Sequence, residues 1–336
     1  MKRIGLMGCG TVANYGHLPT IKKTAGLGLH AVYDPDPGRL EAARGKFDIP
    51  VATGDVDEFF RSGIDAVGIT SPAPFHLSNM RDAARYGKHV LCEKPLAMSE
   101  DECREMIRLA EEAGVMLFTG FDYRFSPAAL EIRRMVREGV VGDVRSLRLI
   151  YIWNNHGKYG RDADGRQVLN ERRRGRMLEG GPMVDCGVHQ IDLARFWLES
   201  EIEHWTVAGA WVDEYEAPDH VYLHLDHANG AHTAVEMSYS YCYTAREPIS
   251  HFVYELIGTE GIIRYDREAE LFEVRTTTET RRLEFHDVKN FAGMYEAFAQ
   301  ALVDGGSDVL PTGNDGLVAA RISREATDAL IAQRSR

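Results

Sequence analysis

Within the first 120 residues five short apolar runs recur: RIGLMG, GLHAVYD, DAVGIT, HVLCE and VMLFTG. They are rich in Val, Ile and Leu and do not alternate strictly, the pattern of strands buried on both faces of a parallel sheet. Between them lie segments of helical character, Val12 to Thr24, Pro37 to Phe47, Asp55 to Ser62, Phe75 to Tyr86 and Glu100 to Ala113. Ser99 with Glu102 makes a capping box for the last of these, and Gly114 supplies its stop. Strand and helix in this alternation predict a doubly wound α/β domain over residues 1–120.

The texture changes after Gly120. Ser126-Pro127 opens a helix to about Glu138, and GVVGDV turns the chain into the long run VRSLRLIYIWN. Between Glu203 and Phe285 several strand-like runs follow one another without helices, and HANGAH places an Asn-Gly hairpin signal between two of them. Residues 121–336 are therefore expected to form an α+β domain with a large, mainly antiparallel open sheet. Two helices, about Phe291 to Asp304 and Asp315 to Arg334, close the chain and can pack back on the first domain. An apolar sheet face that no helix covers is rare in a monomer, so a homodimer or homotetramer through this sheet is expected.

A chain of 336 residues is long enough for both domains. Its formal charge of −12 argues against a general nucleic-acid or anionic-membrane surface. No apolar run reaches membrane-spanning length, and the first strand-like run starts at Lys2, ahead of any room for a cleavable leader. A cytoplasmic protein is expected. The five cysteines are odd in number and scattered, which suits reduced thiols.

Gly8-Cys9-Gly10-Thr11-Val12-Ala13 fits G-x-G-x-x-G/A. The motif is weak alone, but here it follows a strand and opens a helix. Gly8 suits the tight turn, Gly10 lets backbone N–H groups reach a pyrophosphate, and Ala13 permits close packing. Asp34, at the end of the next strand, can accept from both ribose hydroxyls of NAD and would repel a 2′-phosphate. Arg39 lies close enough in sequence to keep NADP open as the alternative. Ser71, Pro72 and His76 follow the run DAVGIT, and Glu93-Lys94-Pro95 ends the run HVLCE, on the edge where open α/β sheets bind ligands. In LEGGPMVDCGVHQIDLARFWL, Asp185 and His189 stand four apart, so on a helix they would share one face, with Asp192 beyond.

Together GCGTVA, SPAPFH, GKHVLCEKP, GFDYRFSPA and GGPMVDCGVHQID, in this order over essentially the whole chain, resemble the Gfo/Idh/MocA family of NAD(P)-dependent sugar and polyol oxidoreductases. The resemblance implies a Rossmann domain followed by the open-sheet domain, NAD as cofactor, and a hydride exchanged with a secondary hydroxyl of a sugar or cyclitol. It implies that Lys94 sits between nicotinamide and substrate beside Glu93, that Pro95 follows a cis peptide, and that His189 is the general acid/base with Asp185 orienting it or the substrate. Imidazole suits that task by its ordinary pKa, and the Lys94 ammonium would steady a developing alkoxide. The reverse assignment, Lys94 as base and His189 as partner, stands open in the sequence. Asp122 departs from the family's asparagine; Arg124 is assigned near the nicotinamide, and His156 and Tyr243 (or Tyr241) to the substrate pocket.

The stretch HGKYGRDADGRQVLNERRRGRMLEGG has no periodicity and reads as a long functional loop. Its cations, Lys158, Arg161, Arg166, Arg172, Arg173, Arg174 and Arg176, either read a phosphorylated, nucleotide-linked or acidic sugar or form a solvated or subunit-bridging loop that balances nearby acids. His220, His224, His227 and His232 lack partners at metal-ligand spacing, so no metal is expected. Two further functions stay in competition: a redox-assisted glycosidase using the same residues, and a dinucleotide-sensing regulator, which would need none of them.

Overall fold

Six parallel strands build the sheet that the apolar runs predict: β1 (Lys2–Met7), β2 (Leu27–Tyr33), β3 (Val51–Thr53), β4 (Ala66–Ile69), β5 (His89–Cys92) and β6 (Leu117–Thr119). The computed structural model of the protein describes residues 1–153, 159–239, 250–287 and 289–334. These divide into two compact units, residues 1–125 with 289–320 and residues 126–288 with 321–336. The strand order in the first unit is β3-β2-β1-β4-β5-β6. It reverses between β1 and β4, and the carboxyl ends of those strands therefore flank the ligand crevice of such a sheet.

Helices α1 (Leu18–Lys23), α2 (Pro37–Phe47), α3 (Val56–Arg61), α4 (His76–Arg85) and α5 (Glu100–Ala113) connect the strands. Both sheet faces are covered, which is why the runs do not alternate. Ile4 and Leu6 pack with Leu18, Ile21, Met294 and Phe298 on one side. Met7, Val67 and Ile69 pack with Phe59, Phe60, Met80 and Met106 on the other. Each such side chain contributes about 1.5–3 kcal/mol by leaving water. Ser99 accepts from the Glu102 N–H, the predicted cap of α5. Two local features differ from expectation. β3 is a three-residue, half-buried edge strand, too short to show as an apolar run. The predicted helix from Val12 begins as a π turn, Ala13–His17, before α1.

The second unit holds α6 (Pro127–Arg137), β7 (Val144–Ile152), β8 (Tyr159–Arg161), β9 (Gln167–Leu169), α7 (Glu171–Leu178), α8 (Val188–Leu198), β10 (Ile202–Ala210), β11 (His220–His227), β12 (His232–Ser238), β13 (His251–Gly258), β14 (Gly261–Asp266), β15 (Leu271–Thr276) and β16 (Thr280–Arg282). Eight of these strands form one sheet, β10-β11-β12-β7-β13-β14-β15-β16, antiparallel except for the β12–β7 pair. One face, with Val221, Leu223, Val235, Met237, Leu147 and Leu149, is buried, and the almost wholly buried helix α8 packs on that side. The opposite face shows the alternation of a half-exposed sheet, with Tyr222, His224 and Asp226 outward. A row of charges, Arg148–Glu255–Arg264–Asp266, crosses it beside the small apolar cluster Ile150, Ile152 and Val253.

The arginine-rich stretch is not the irregular loop its lack of periodicity suggests. β8 and β9 make a short hairpin, and Asn170 caps α7 by accepting the Arg173 N–H. The helix is short and strongly polar, so its register is set by the cap and by individual ion pairs rather than by an apolar stripe. Two further helices close the chain. α9 (Phe291–Asp304) belongs to the first unit, and α10 (Gly313–Arg334) gives its residues to Ala320 to the first unit and the rest to the second. Among the described residues no helix is long and apolar enough to cross a membrane.

Candidate active site

In the first unit the glycine turn joins the ends of β1 and β4. Gly8 has φ +101°, and a Cβ there would lie 2.6 Å from the Ser71 nitrogen, so the close approach of the two loops requires glycine. Thr70 Oγ1 donates to the carbonyls of Met7 (3.1 Å) and Gly8 (2.8 Å), and Asn79 donates to Ser71 Oγ (2.7 Å). Gly10 is the reverse case: nothing lies within 4 Å of where its Cβ would be, which leaves the backbone open to a phosphate, with exposed Thr11 and half-exposed Val12 beside it. Burial pushes the Cys9 thiol up to about 12, with the Asp34 charge adding, so the turn carries a neutral thiol.

Asp34 is buried at the end of β2, where Oδ2 accepts the Cys9 N–H (2.8 Å) and Oδ1 the Asp36 N–H (2.9 Å). Each carboxylate oxygen keeps a further lone pair for a ribose hydroxyl. Arg39, mostly exposed, brings Nη1 to 4.0 Å from Asp34 Oδ2. The open glycine and the buried carboxylate fit a dinucleotide. Asp34→Ser is expected to raise the KM for NAD about 10- to 100-fold, the worth of charged hydrogen bonds, and to admit NADP through Arg39. Initial rates with both cofactors check this, and an unchanged preference would remove Asp34 from the site.

At the end of β5 come Glu93, Lys94 and Pro95, with the Lys94–Pro95 bond cis. Glu93 Oε2 accepts the Lys94 N–H at 3.1 Å, and His17 Nε2 lies 2.9 Å from Glu93 Oε1. His76 is buried beneath the same loops, with Nε2 at 2.9 Å from the Ser71 carbonyl and Nδ1 at 3.0 and 3.1 Å from those of Pro95 and Leu96. Its ring ties the Ser71-Pro72 loop to the Glu-Lys-Pro loop; burial pushes its pKa down. Arg124 is buried too, with Nη2 3.3 Å from Asp315.

Asp122, 4% exposed, shares this neighbourhood. Burial raises its carboxyl to about 7; Lys289 and Lys94 oppose the shift and Glu93 adds to it. Between about pH 4 and pH 7 the unfolded chain has lost this proton while the folded chain keeps it. Stability therefore falls as pH rises through that window, by about 4 kcal/mol at most. Asp122→Asn removes the effect. Relative to that variant, the wild type is expected to lose about 3 kcal/mol between pH 5 and pH 8 in urea unfolding. Parallel profiles would contradict it.

In the second unit Asp185 lies not on a regular helix but in a π turn, Met183–Gly187, that runs into α8. His189 sits in the first turn of α8, and both are buried, as is Asp192. Such π turns recur at functional sites. Tyr239, just past β12, donates to Asp185 Oδ2 at 2.5 Å, and Arg176 Nε stands 3.5 Å from the same oxygen. Burial pushes the Tyr239 phenol well up, the Asp185 charge adding, so the phenol keeps the proton it donates. The Cys186 thiol lies 3.2 Å from Tyr239 Oη. Tyr239 carries no signal in the sequence beyond its place in an aromatic run; only the strand register brings it to Asp185. His156, Tyr241 and Tyr243 lie outside the described residues.

The arginines of the same stretch are met by acids. Arg166 pairs with Asp164, Arg174 with Glu171, and Arg176 with Glu179 (2.7 Å) as well as Asp185. Arg173 is buried against Asp219 and Asp213. Arg172 is exposed, and Lys158 and the side chain of Arg161 lie outside the described residues. The histidines on the sheet are likewise engaged: His220 with Glu236, His224 with His232, His232 with Asp226, and His227 with Thr233. Among the described residues no three His, Cys, Asp or Glu side chains are grouped so as to hold a metal ion.

Residues 2–121 match the oxidoreductase family with an NAD-binding Rossmann fold, GFO_IDH_MocA, and residues 129–264 match the GFO/IDH/MocA C-terminal domain. The inositol 2-dehydrogenase of Rhizobium meliloti is 27% identical over 99% of this chain and 98% of its own length. The scyllo-inositol 2-dehydrogenase (NAD(+)) of Bacillus subtilis is 29% identical over 78% of this chain and 72% of its own. The crystal structure of an oxidoreductase from Agrobacterium radiobacter in complex with NAD+, L-tartaric acid and magnesium shares the fold, with a TM-score of 0.80 and 22% identity over 99% of this chain and 97% of that one.

Proposed function

Because the chain belongs to the Gfo/Idh/MocA oxidoreductase family, we propose that it is an NAD-dependent dehydrogenase acting on a secondary hydroxyl of a neutral cyclitol or sugar. Bound NAD supplies the hydride acceptor. His189 takes the proton of the reacting hydroxyl, a task suited to imidazole near neutral pH. The Lys94 ammonium steadies the negative charge that develops on that oxygen. Asp185, with the Tyr239 hydroxyl and the Arg176 guanidinium on one oxygen, stays an acceptor and orients rather than exchanges protons.

The observation that carries this reading is that clamp on Asp185, in a chain that also has the open glycine turn. A carboxylate that accepts from a buried phenol and pairs with a guanidinium, four residues ahead of a buried histidine, is acid/base apparatus that a dinucleotide sensor does not need. The preference for a neutral substrate rests on Arg166, Arg173, Arg174 and Arg176, whose charges are answered by Asp164, Glu171, Glu179, Asp185, Asp213 and Asp219. The inositol dehydrogenases among its relatives point the same way.

The test is absorbance at 340 nm with NAD or NADP and a panel of inositols, free sugars, sugar acids, sugar phosphates and glycosides. NADH forming with inositols or neutral sugars is the expected result. Turnover confined to acids or phosphates would return the arginine-rich stretch to substrate binding. Aglycone release from a glycoside without net NADH would move the assignment to redox-assisted cleavage, and tight NAD binding with no turnover would favour the sensor.

A further inference from the structure

His17 lies in the π turn behind the glycine motif, 2% exposed, and nothing in the proposed chemistry uses it. Its ring stands edge-on to Phe291 and Tyr295 of α9, with centroids 5.0 and 5.7 Å away. Both ring nitrogens are engaged: Nδ1 lies 2.7 Å from Tyr295 Oη, and Nε2 lies 2.9 Å from Glu93 Oε1. The other Glu93 oxygen accepts the Lys94 backbone N–H. A continuous line of contacts therefore runs from α9 through His17 and Glu93 to the backbone of Lys94.

The protons along that line can be counted. Tyr295 is fully buried, and burial pushes its phenol well up, the Glu93 charge adding, so it keeps its hydrogen. A buried hydroxyl needs an acceptor, and among the described residues His17 Nδ1 is the one that meets it. Nδ1 must then carry no proton. The single ring proton sits on Nε2 and points at Glu93 Oε1. Had His17 carried both protons, Nδ1–H would donate to Tyr295 Oη and the phenol hydrogen would turn away from the acceptor it meets among the described residues.

We propose that Tyr295 and His17 are positioning residues for Lys94: the phenol selects the Nε2–H tautomer of His17, and that N–H fixes the Glu93 carboxylate which holds the Lys94 backbone in place. The imidazole is a neutral spacer with a defined direction, not a proton carrier. Second-rank contacts of this kind matter because a misplacement of about 1 Å at a reacting group can cost a hundredfold in rate. The proposal rests on the role given to Lys94 above, and its test separates the two.

The direct measurement is a long-range proton–nitrogen NMR correlation on the full chain labelled with ¹⁵N-histidine, His17 being assigned by the signal lost in His17→Gln. The Nε2–H pattern is expected; an Nδ1–H pattern or an imidazolium would overturn the proposal. Kinetics on the substrate found by the panel provide the second arm. His17→Leu is expected to lower kcat about 10- to 100-fold while the Kd for NAD moves less than about threefold. His17→Gln, whose amide N–H can replace Nε2–H toward Glu93, is expected to restore kcat to within about fivefold of wild type. Wild-type kcat in His17→Leu, or a glutamine variant as poor as the leucine one, would overturn it. If the leucine variant does not fold, Tyr295→Phe takes its place, since it removes the tautomer choice with one oxygen; wild-type kcat and an unchanged His17 pattern there would overturn the proposal. Intact kcat in Lys94→Met would sink the functional reading, and the tautomer pattern would still decide the chain of contacts.

Discussion

Lys94→Met is expected to lower kcat about a thousandfold, the usual cost of removing a group that steadies charge on the reacting oxygen, with NAD affinity changed less than about threefold. The separation follows from what each part of the residue does. The Lys94 backbone N–H is held by Glu93 Oε2 and survives the substitution. Gly8, Gly10 and Asp34, which fit a dinucleotide, belong to other loops. The lost ammonium alone is missing, so its effect falls on the chemical step rather than on cofactor capture. Arginine is a poor substitute because its charge is spread over a planar fork. The pH dependence of kcat/KM then assigns the base. If His189 takes the proton, His189→Gln abolishes the acid limb while Lys94→Met keeps it at a lower plateau. A Lys94→Met enzyme within tenfold of wild type would remove the lysine from the reaction.

Arg173→Met carries the largest expected loss of stability, about 3–5 kcal/mol. The guanidinium, 1% exposed, pairs with Asp219, lies 3.7 Å from Asp213, and donates to the Tyr239 carbonyl at 2.8 Å. Asp219 is fully buried, and its second oxygen accepts the N–H groups of Val212 and Asp213. Taking away the arginine leaves two buried carboxylates close together without their cation, which costs far more than the pair itself contributes. Thermal unfolding should fall by roughly 10 °C for a unit of this size. Arg174→Met is the control: its partner Glu171 is exposed, and exposed pairs are worth about 0–1 kcal/mol. The loss should also reach activity, because the Tyr239 N–H is held by the Asp219 carbonyl at 3.0 Å and the Tyr239 hydroxyl holds Asp185. Equal melting temperatures for the two variants would show that the buried cluster does not bear on stability.

What could be read from the chain alone was local. Apolar runs without alternation disclose strands covered on both faces, because each side chain there meets a hydrophobic layer wherever it points. Gly8, Gly10 and Asp34 disclose a dinucleotide turn, because a tight turn, an open backbone and a carboxylate at a strand end are requirements met within a few residues of one another. The Ser99 cap and the Asn-Gly hairpin are of the same kind. The arginine-rich stretch shows where that legibility stops. Its charge pattern admits either an anion or internal acids, and the partners of Arg173, Asp213 and Asp219, reach it only through the fold.

The same holds for the contacts around the candidate residues in each unit. Tyr239 finds Asp185 across 54 positions, and Tyr295 finds His17 across 278. A hydrogen bond needs its atoms within about 3 Å, and sequence pattern constrains neighbours on one element, not the register of strands and helices brought together from opposite ends of a chain. The candidate residues were therefore visible as types in a row, whereas the side chains that meet them, Tyr239 at Asp185 and His17 at Glu93, were decided by tertiary packing alone.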